Sequence, residues 1–349
     1  MTSRPVRTTP RVLARMSAQH GLITRADALD LGLSPTIITA LLRDSEWVVA
    51  HRGVYGDGEV WRAAEPYRER PLLRARAAVM AMRRAWVLSH DSAAHLLGLA
   101  VLADEDAHAH ITRPGFTNAW TKGRVKHHLA RYRDGQVVDV DGTPALDAAR
   151  TVCDVAREHG FRAGLVTADS ALRLGVRRGD LWEAVDSMRS WPYVTTVRNV
   201  IEAADGRAET PIESLARELL LEMGLAVDPQ FPVVLADGRV AWADLRVGCH
   251  VFETHGLVKV LTPEQGGVAD REARAVLFDE RKRERLLTGE GLGVTNLYWS
   301  DFFSGRAAAR ARIRADLRES ERRFGLELPE HLARNARELR GRDGRPSAG

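Results

Sequence analysis

Two acidic residues close neighbouring apolar runs. Asp244 follows Val240-Ala241-Trp242-Ala243, and Glu253 follows His250-Val251-Phe252 after a short turn. Runs of this kind read as strands, and on adjacent strands the two carboxylates come within a few ångströms. Glu213 adds a third oxygen from a helix announced by Thr210-Pro211, a cap followed by proline at the first helical position. Carboxylates held that close bind a cation, pair with arginine, or rise in pKa. An all-oxygen set suits Mg2+, and such an ion activates water and stabilises a phosphodiester transition state. The expectation is therefore a catalytic and metal-binding set of Glu213, Asp244 and Glu253. His255 or Lys259 would orient the nucleophile. The competing expectation is a salt-bridge network in which Asp244 and Glu253 pair with Arg246, Lys259 or Lys282.

Histidine invites other chemistry. His108, His110, His127 and His128 fall on two strand-like runs, but no acidic or cysteine ligand stands at a recognisable interval from them. Near Lys122, Arg124 and Lys126 they read instead as groups that touch phosphates. Ser89-His90-Asp91 suggests a catalytic triad, which is rejected because triads assemble from separate strand and loop ends rather than from neighbours. The run reads as the capped start of a helix that ends at Gly98.

The elements that position these groups fall into modules. Residues 8–60 predict three short helices, capped by Thr24 and by Ser34-Pro35, then a hairpin turning at Arg52-Gly53. That is the pattern of a winged helix-turn-helix. Its third helix would present Thr36, Thr39 and Arg43 to DNA, with Arg52 at the tip of the hairpin. Such modules also dock proteins, so both partner classes stand. Residues 68–200 predict an α/β middle domain, with helices over Ala145 to His159 and Ala163 to Leu174. Residues 205–303 predict a helix, three strands, a helix and a strand. Residues 304–349 predict an arginine-rich helix with Arg306, Arg310 and Arg314 as one basic stripe, then a frayed tail from about Asn335. The fold class expected is α+β and multidomain.

Charge narrows the partners only when resolved along the chain. The sequence of 349 residues carries 51 basic and 47 acidic side chains, with 44% hydrophobic residues, as in ordinary globular proteins. Only Lys122, Lys126, Lys259 and Lys282 are lysines. Arginine suits phosphate, although codon bias accounts for most of such an excess. Residues 201–302 hold 18 acids against 11 bases, so the acids gather where the metal set is expected. No long apolar run or secretory start is apparent, and Cys153 and Cys249 form no zinc or disulfide pattern. A cytoplasmic protein without membrane contact is expected. No phosphate-binding or dinucleotide-binding glycine motif is found, which disfavours a nucleotide-driven machine.

Two family resemblances add to this reading. The run GLITRADALDLGLSPTIITALLRDSEW with HRGVYG, and later SHDSAAHLLGL, resembles AbiEi-type antitoxins, the repressor-antitoxins of type IV toxin–antitoxin systems. The resemblance implies a transcriptional regulator whose partners are DNA, such as its own operator, and a cognate toxin gene product. The runs ESLARELLLEMGL, PQF, WADL, FETHG with VK after it, and DERKRERLL resemble the PD-(D/E)XK nuclease superfamily, in its very-short-patch-repair branch. That resemblance implies a restriction-endonuclease-like domain with Glu213, Asp244 and Glu253 as its metal and catalytic set. Together the two cover the chain to about residue 303. The family's E-x-D-G run reads Glu253-Thr254-His255-Gly256 here; histidine for an acid removes a negative charge and weakens Mg2+ binding.

Overall fold

The computed structural model describes residues 8–82, 86–102, 106–115, 118–255 and 283–342. It is a mixed α+β chain that divides into two compact units, Met1–Thr167 with Val176–Ile201, and Ala168–Gly175 with Glu202–Gly349.

The first unit opens with three short helices whose ends are written in the sequence. Thr9 accepts from the Val12 amide at the start of α1 (Pro10–Ser17), and Val12 and Met16, one turn apart, are buried. After β1 (Leu22–Thr24), the Thr24 hydroxyl accepts from the Asp27 amide and starts α2 (Arg25–Asp30). Ser34 caps α3 (Pro35–Arg43) in the same way at 3.2 Å. β2 (Trp47–His51) and β3 (Val54–Asp57) form an antiparallel hairpin; β3 lies between β1 and β2. Gly53, at φ +80°, supplies the left-handed residue of its turn. Ile23, Ile38, Leu41, Trp47 and Tyr55 close the small core with Val12 and Met16.

Next come α4 (Gly58–Ala63), α5 (Glu69–Met80), β4 (Val87–Leu88) and α6 (His90–Leu96). β5 (Ala109–Arg113), β6 (Asn118–Lys122), β7 (Val125–Leu129), β8 (Val137–Val140) and β9 (Thr143–Leu146) join β4 in one sheet of order β6-β7-β5-β4-β9-β8. β5 and β7, the two histidine-bearing runs, pair in parallel. One boundary differs from expectation. Ala145 and Leu146 belong to β9, and the helix α7 (Ala148–His159) begins only after Asp147, whose carboxylate accepts from the Arg150 amide at 2.7 Å. α8 (Phe161–Arg173), α9 (Arg178–Asp186) and α10 (Val194–Ala203) follow.

The second unit is built on α11 (Pro211–Glu222) and a four-stranded sheet. β10 (Asp228–Val234), β11 (Val240–Val247) and β12 (His250–His255) run antiparallel to one another, and β13 (Gly293–Tyr298) lies parallel to β12. Residues 283–289 are helical. α12 (Arg306–Phe324) and α13 (Glu330–Arg342) complete the unit. Phe231, Val233, Ala243, Val251, Leu287 and Leu292 form its core.

Two expectations for the tail are corrected. Residues 335–342 are helical rather than frayed, because Leu332 and Ala336, one turn apart, pack into this core, and Arg340 pairs with Asp228 at 2.9 Å. The stripe Arg306, Arg310, Arg314 is not a common solvent face. Arg306 pairs with Glu218 and Glu222, and Arg310 pairs with Glu222, which ties α12 to α11; Arg314 is exposed. Both cysteines are free thiols and buried. Among the described residues no helix is long and apolar enough to cross a membrane.

Candidate functional site

The acidic trio sits where the β11–β12 ladder ends. That ladder runs from Val247 opposite His250 to Leu245 opposite Phe252, so Asp244 and Glu253 are the next residue on each strand. Asp244 does not continue the ladder. Its Oδ2 accepts from the Thr254 amide at 2.7 Å and from the Thr254 hydroxyl at 2.6 Å, so β12 clamps the carboxylate twice.

Glu213 arrives from the first turn of α11 and is buried. Its Oε1 accepts from the Thr210 hydroxyl at 2.8 Å and its Oε2 from the Glu209 amide at 2.9 Å, while Thr210 receives the Glu213 amide. These bonds from Thr210 and from the residue before it hold the side chain against the helix end. A further bond comes from Gln230 Nε2, 2.9 Å from Oε2. Gln230 stands between Pro229 and Phe231, which pair with Leu245 and Ala243, and so lies across from Asp244. Its φ of +51° is a left-handed value in a non-glycine strand residue. Burial, and then the Asp244 charge, hold the Glu213 pKa above the ordinary carboxylate value.

Glu253 has a cationic neighbour. Arg283 Nη2 lies 3.0 Å from its Oε1 and also donates to the Trp242 carbonyl. Glu253 is thus ion-paired, but with Arg283 and not with the expected Arg246, which pairs with Asp228 at 3.2 Å. Lys259 and Lys282 lie outside the described residues. His255 donates from Nε2 to Asn296 Oδ1 at 2.9 Å and stacks on Tyr298, its neighbour across the β12–β13 ladder. Among the described residues, the groups of three metal-type donors packed within 4.8 Å of one another lie in the first unit, not here.

Thr36, Thr39 and Arg43 lie exposed on α3, and Arg52 is exposed in the β2–β3 turn. Arg43 is engaged by its neighbour: Nε is 3.0 Å from Asp44 Oδ1, which raises the guanidinium pKa and offsets part of its charge. Thr39 donates to the Pro35 carbonyl. The middle-domain histidines depart from the phosphate-contact expectation. His110 and His128 are buried, His108 is exposed, and His127 stacks on Trp120 at 4.9 Å between ring centres. Arg124 pairs with Asp106, and Lys126 with Glu158.

Four participants escape a sequence reading. Thr254 and Asn296 act through strand neighbours, which register alone reveals. Gln230 is recruited by an irregular strand backbone. Arg283 lies 30 residues from Glu253. The runs PQF, FETHG and DERKRERLL contain Gln230, Thr254 and Arg283, but nothing in them assigned those residues these roles.

No family model matches the chain. Two proteins of Mycobacterium tuberculosis are similar to it, "Uncharacterized protein MT2308" of strain CDC 1551 / Oshkosh and "Uncharacterized protein Rv2248" of strain ATCC 25618 / H37Rv. Each is 31% identical over 145 residues, which is 40% of this chain and 52% of the relative. The chain thus spans about half the length of the curated relatives it matches. A solved structure, that of the RV2827C protein from Mycobacterium tuberculosis, aligns over 59% of this chain and 79% of its own at 17% identity, with a TM-score of 0.38.

Proposed function

We propose that this is a DNA-binding protein whose second unit is an endonuclease-like domain of the PD-(D/E)XK kind, hydrolysing phosphodiester bonds with Mg2+. The observation that carries the reading is the grouping of Glu213, Asp244 and Glu253 around the end of the β11–β12 ladder. The order helix, three strands, helical stretch, parallel strand supports it further. All three groups offer carboxylate oxygen, the donor type that Mg2+ takes, although their oxygens do not all lie within 4.8 Å of one another in this structure. Burial, and then the Asp244 charge, raise the Glu213 pKa, and a cation would relieve that repulsion. Bound there, Mg2+ supplies Lewis acidity and an activated water. The chain's own residues do the positioning. Thr254 orients Asp244, Gln230 and Thr210 orient Glu213, and Asn296 fixes the His255 ring beside Glu253.

The first unit supports DNA contact through three helices and an antiparallel hairpin in the order of a winged helix-turn-helix. In that reading α3 enters the major groove with Thr36, Thr39 and Arg43, and Arg52 reaches the backbone.

The ion pair of Arg283 with Glu253 favours a second reading. A guanidinium against that carboxylate does electrostatically what the cation would do, and histidine at 255 removes another charge. The fold would then grip DNA without cutting, as a repressor or antitoxin does. Gel-shift titration across ionic strength tests the shared part of both readings. Phosphate contacts predict affinity falling steeply with salt, with Arg52→Ala lowering the log–log slope by about 1. Salt-independent or absent binding would reject DNA as the partner and favour a protein-docking role.

A further inference from the structure

The strongest unassigned chemistry lies in the first unit, where Asp91, His110 and His159 meet from three elements. Asp91 opens α6, His110 sits in β5, and His159 ends α7. Asp91 Oδ2 lies 2.9 Å from His159 Nε2 and 3.8 Å from His110 Nε2, and the three donor atoms all fall within 4.8 Å of one another. Donors around a tetrahedral ion with bonds of about 2.0–2.1 Å stand about 3.3 Å apart, so the two distances bracket the required spacing. We propose that Asp91, His110 and His159 form a binding site for a divalent transition metal of the Zn2+ class.

Three further observations point the same way. Asp91 and His110 are almost fully buried, at 3% exposure each, yet Asp91 Oδ1 has no hydrogen-bond partner among the described residues. An unmatched carboxylate oxygen in the interior is costly, and an ion on this carboxylate offsets that cost. Next, His110 has the support that ligating histidines use: its Nδ1 is 3.1 Å from His128 Nε2, so the tautomer with a proton on Nδ1 donates there and aims the Nε2 lone pair at Asp91 and His159. Finally, the His110 and His159 rings are inclined at 60°, so they approach one point from different directions.

A second trio, His90, His110 and His128, also brings its donors within 4.8 Å. It fits an ion less well. The His90 and His128 rings stack 3.9 Å apart at 17°. An ion midway would lie about 2 Å out of each ring plane, at nearly the whole bond length, where imidazole has no lone pair. These rings therefore serve as the support behind His110, and Ser89 holds His90 Nδ1 at 2.9 Å. A site of two histidines and one carboxylate leaves a fourth position for water or a substrate oxygen. The His159 side chain is 33% exposed, which gives an ion access.

The test is metal uptake by the purified full chain. Protein stripped by chelator is dialysed against Zn2+ and its content measured, and Co2+ is added in parallel as an optical probe. The expected result is about one Zn2+ per chain and the intense visible bands of four-coordinate Co2+. Affinity should fall at least about tenfold in His159→Ala and in Asp91→Asn, with His108→Ala unchanged as the surface-histidine control. His159 is the accessible ligand, so its variant keeps the core, and the Co2+ spectrum of the wild type needs no variant. No uptake, a Co2+ spectrum equal to that of the aqueous ion, or equal uptake by both ligand variants would overturn the site. An Asp91–His159 ion pair would then account for the same atoms.

Discussion

At the scale of single residues, the second unit contrasts two ways of managing buried charge. Glu253 is neutralised by Arg283, whereas the Glu213 pKa is raised by burial and, secondarily, by the Asp244 charge. If the trio holds a cation, Arg283 competes with it. Arg283→Ala should then tighten Mn2+ binding, measured by calorimetry, by about tenfold, or about 1.4 kcal/mol; unchanged affinity would show that the guanidinium does not compete. His250 is a purely structural counterpart. Its ring is buried between Ser320 and Thr295, and burial depresses its pKa from 6.5 to about 4. Between those values the unfolded chain binds the proton and the folded chain does not, so stability falls as pH drops. The contribution is fully present above pH 6.5, is lost progressively toward pH 4, and amounts to about 3 kcal/mol. Denaturant titrations from pH 7.5 to 4 should show this loss, and His250→Gln should flatten it. An equal slope in the variant would assign the pH dependence to other groups.

At the scale of elements, helix starts carry the clearest sequence signals and also a measurable share of stability. Thr210→Ala removes the hydroxyl that caps α11 and steadies Glu213. It should cost about 1 kcal/mol by denaturation and loosen any metal bound there; no change in either would separate the cap from the site. Gly293 shows the opposite constraint. A Cβ there would overlap Ser320 Oγ and lie 2.5 Å from His250 Nδ1, so Gly293→Ala should destabilise by about 1–3 kcal/mol. Thr24, Ser34-Pro35 and Thr210-Pro211 were legible because a cap is a local event. The strand pairing of Ala145 and Leu146 was not, because two residues ahead of a helix look helical until a sheet claims them. The helix at 330–342 hid behind its polar composition, since its apolar anchors are the two residues Leu332 and Ala336. Asp91, His110 and His159 were unreadable as a set for a related reason. Three elements assemble them, and no spacing along the chain records it.

At the scale of the whole molecule, charge is allotted by region rather than by total. The acids concentrate in residues 201–302, and many are already answered by arginine, as Asp228 is by Arg207, Arg246 and Arg340. Pairing of this kind consumes basic surface, so the arginine count overstates what is available to phosphate. Affinity for DNA should accordingly be modest and salt-sensitive, and its specificity should rest on Thr36, Thr39 and Arg43 of α3. Arg43→Ala should lower affinity for duplex DNA by roughly 1 kcal/mol, less than a full base contact because Asp44 already pairs with it. An effect above about 3 kcal/mol would mean that the ion pair opens on binding. The trio in the second unit is tested most directly by incubating supercoiled plasmid and mismatched duplexes with the purified full chain in Mg2+ or Mn2+. Metal-dependent nicking by the wild type is expected, and Glu253→Ala should abolish it while its gel-shift binding persists. Binding without cleavage in both proteins would contradict it and leave the non-cutting regulator as the function of this fold.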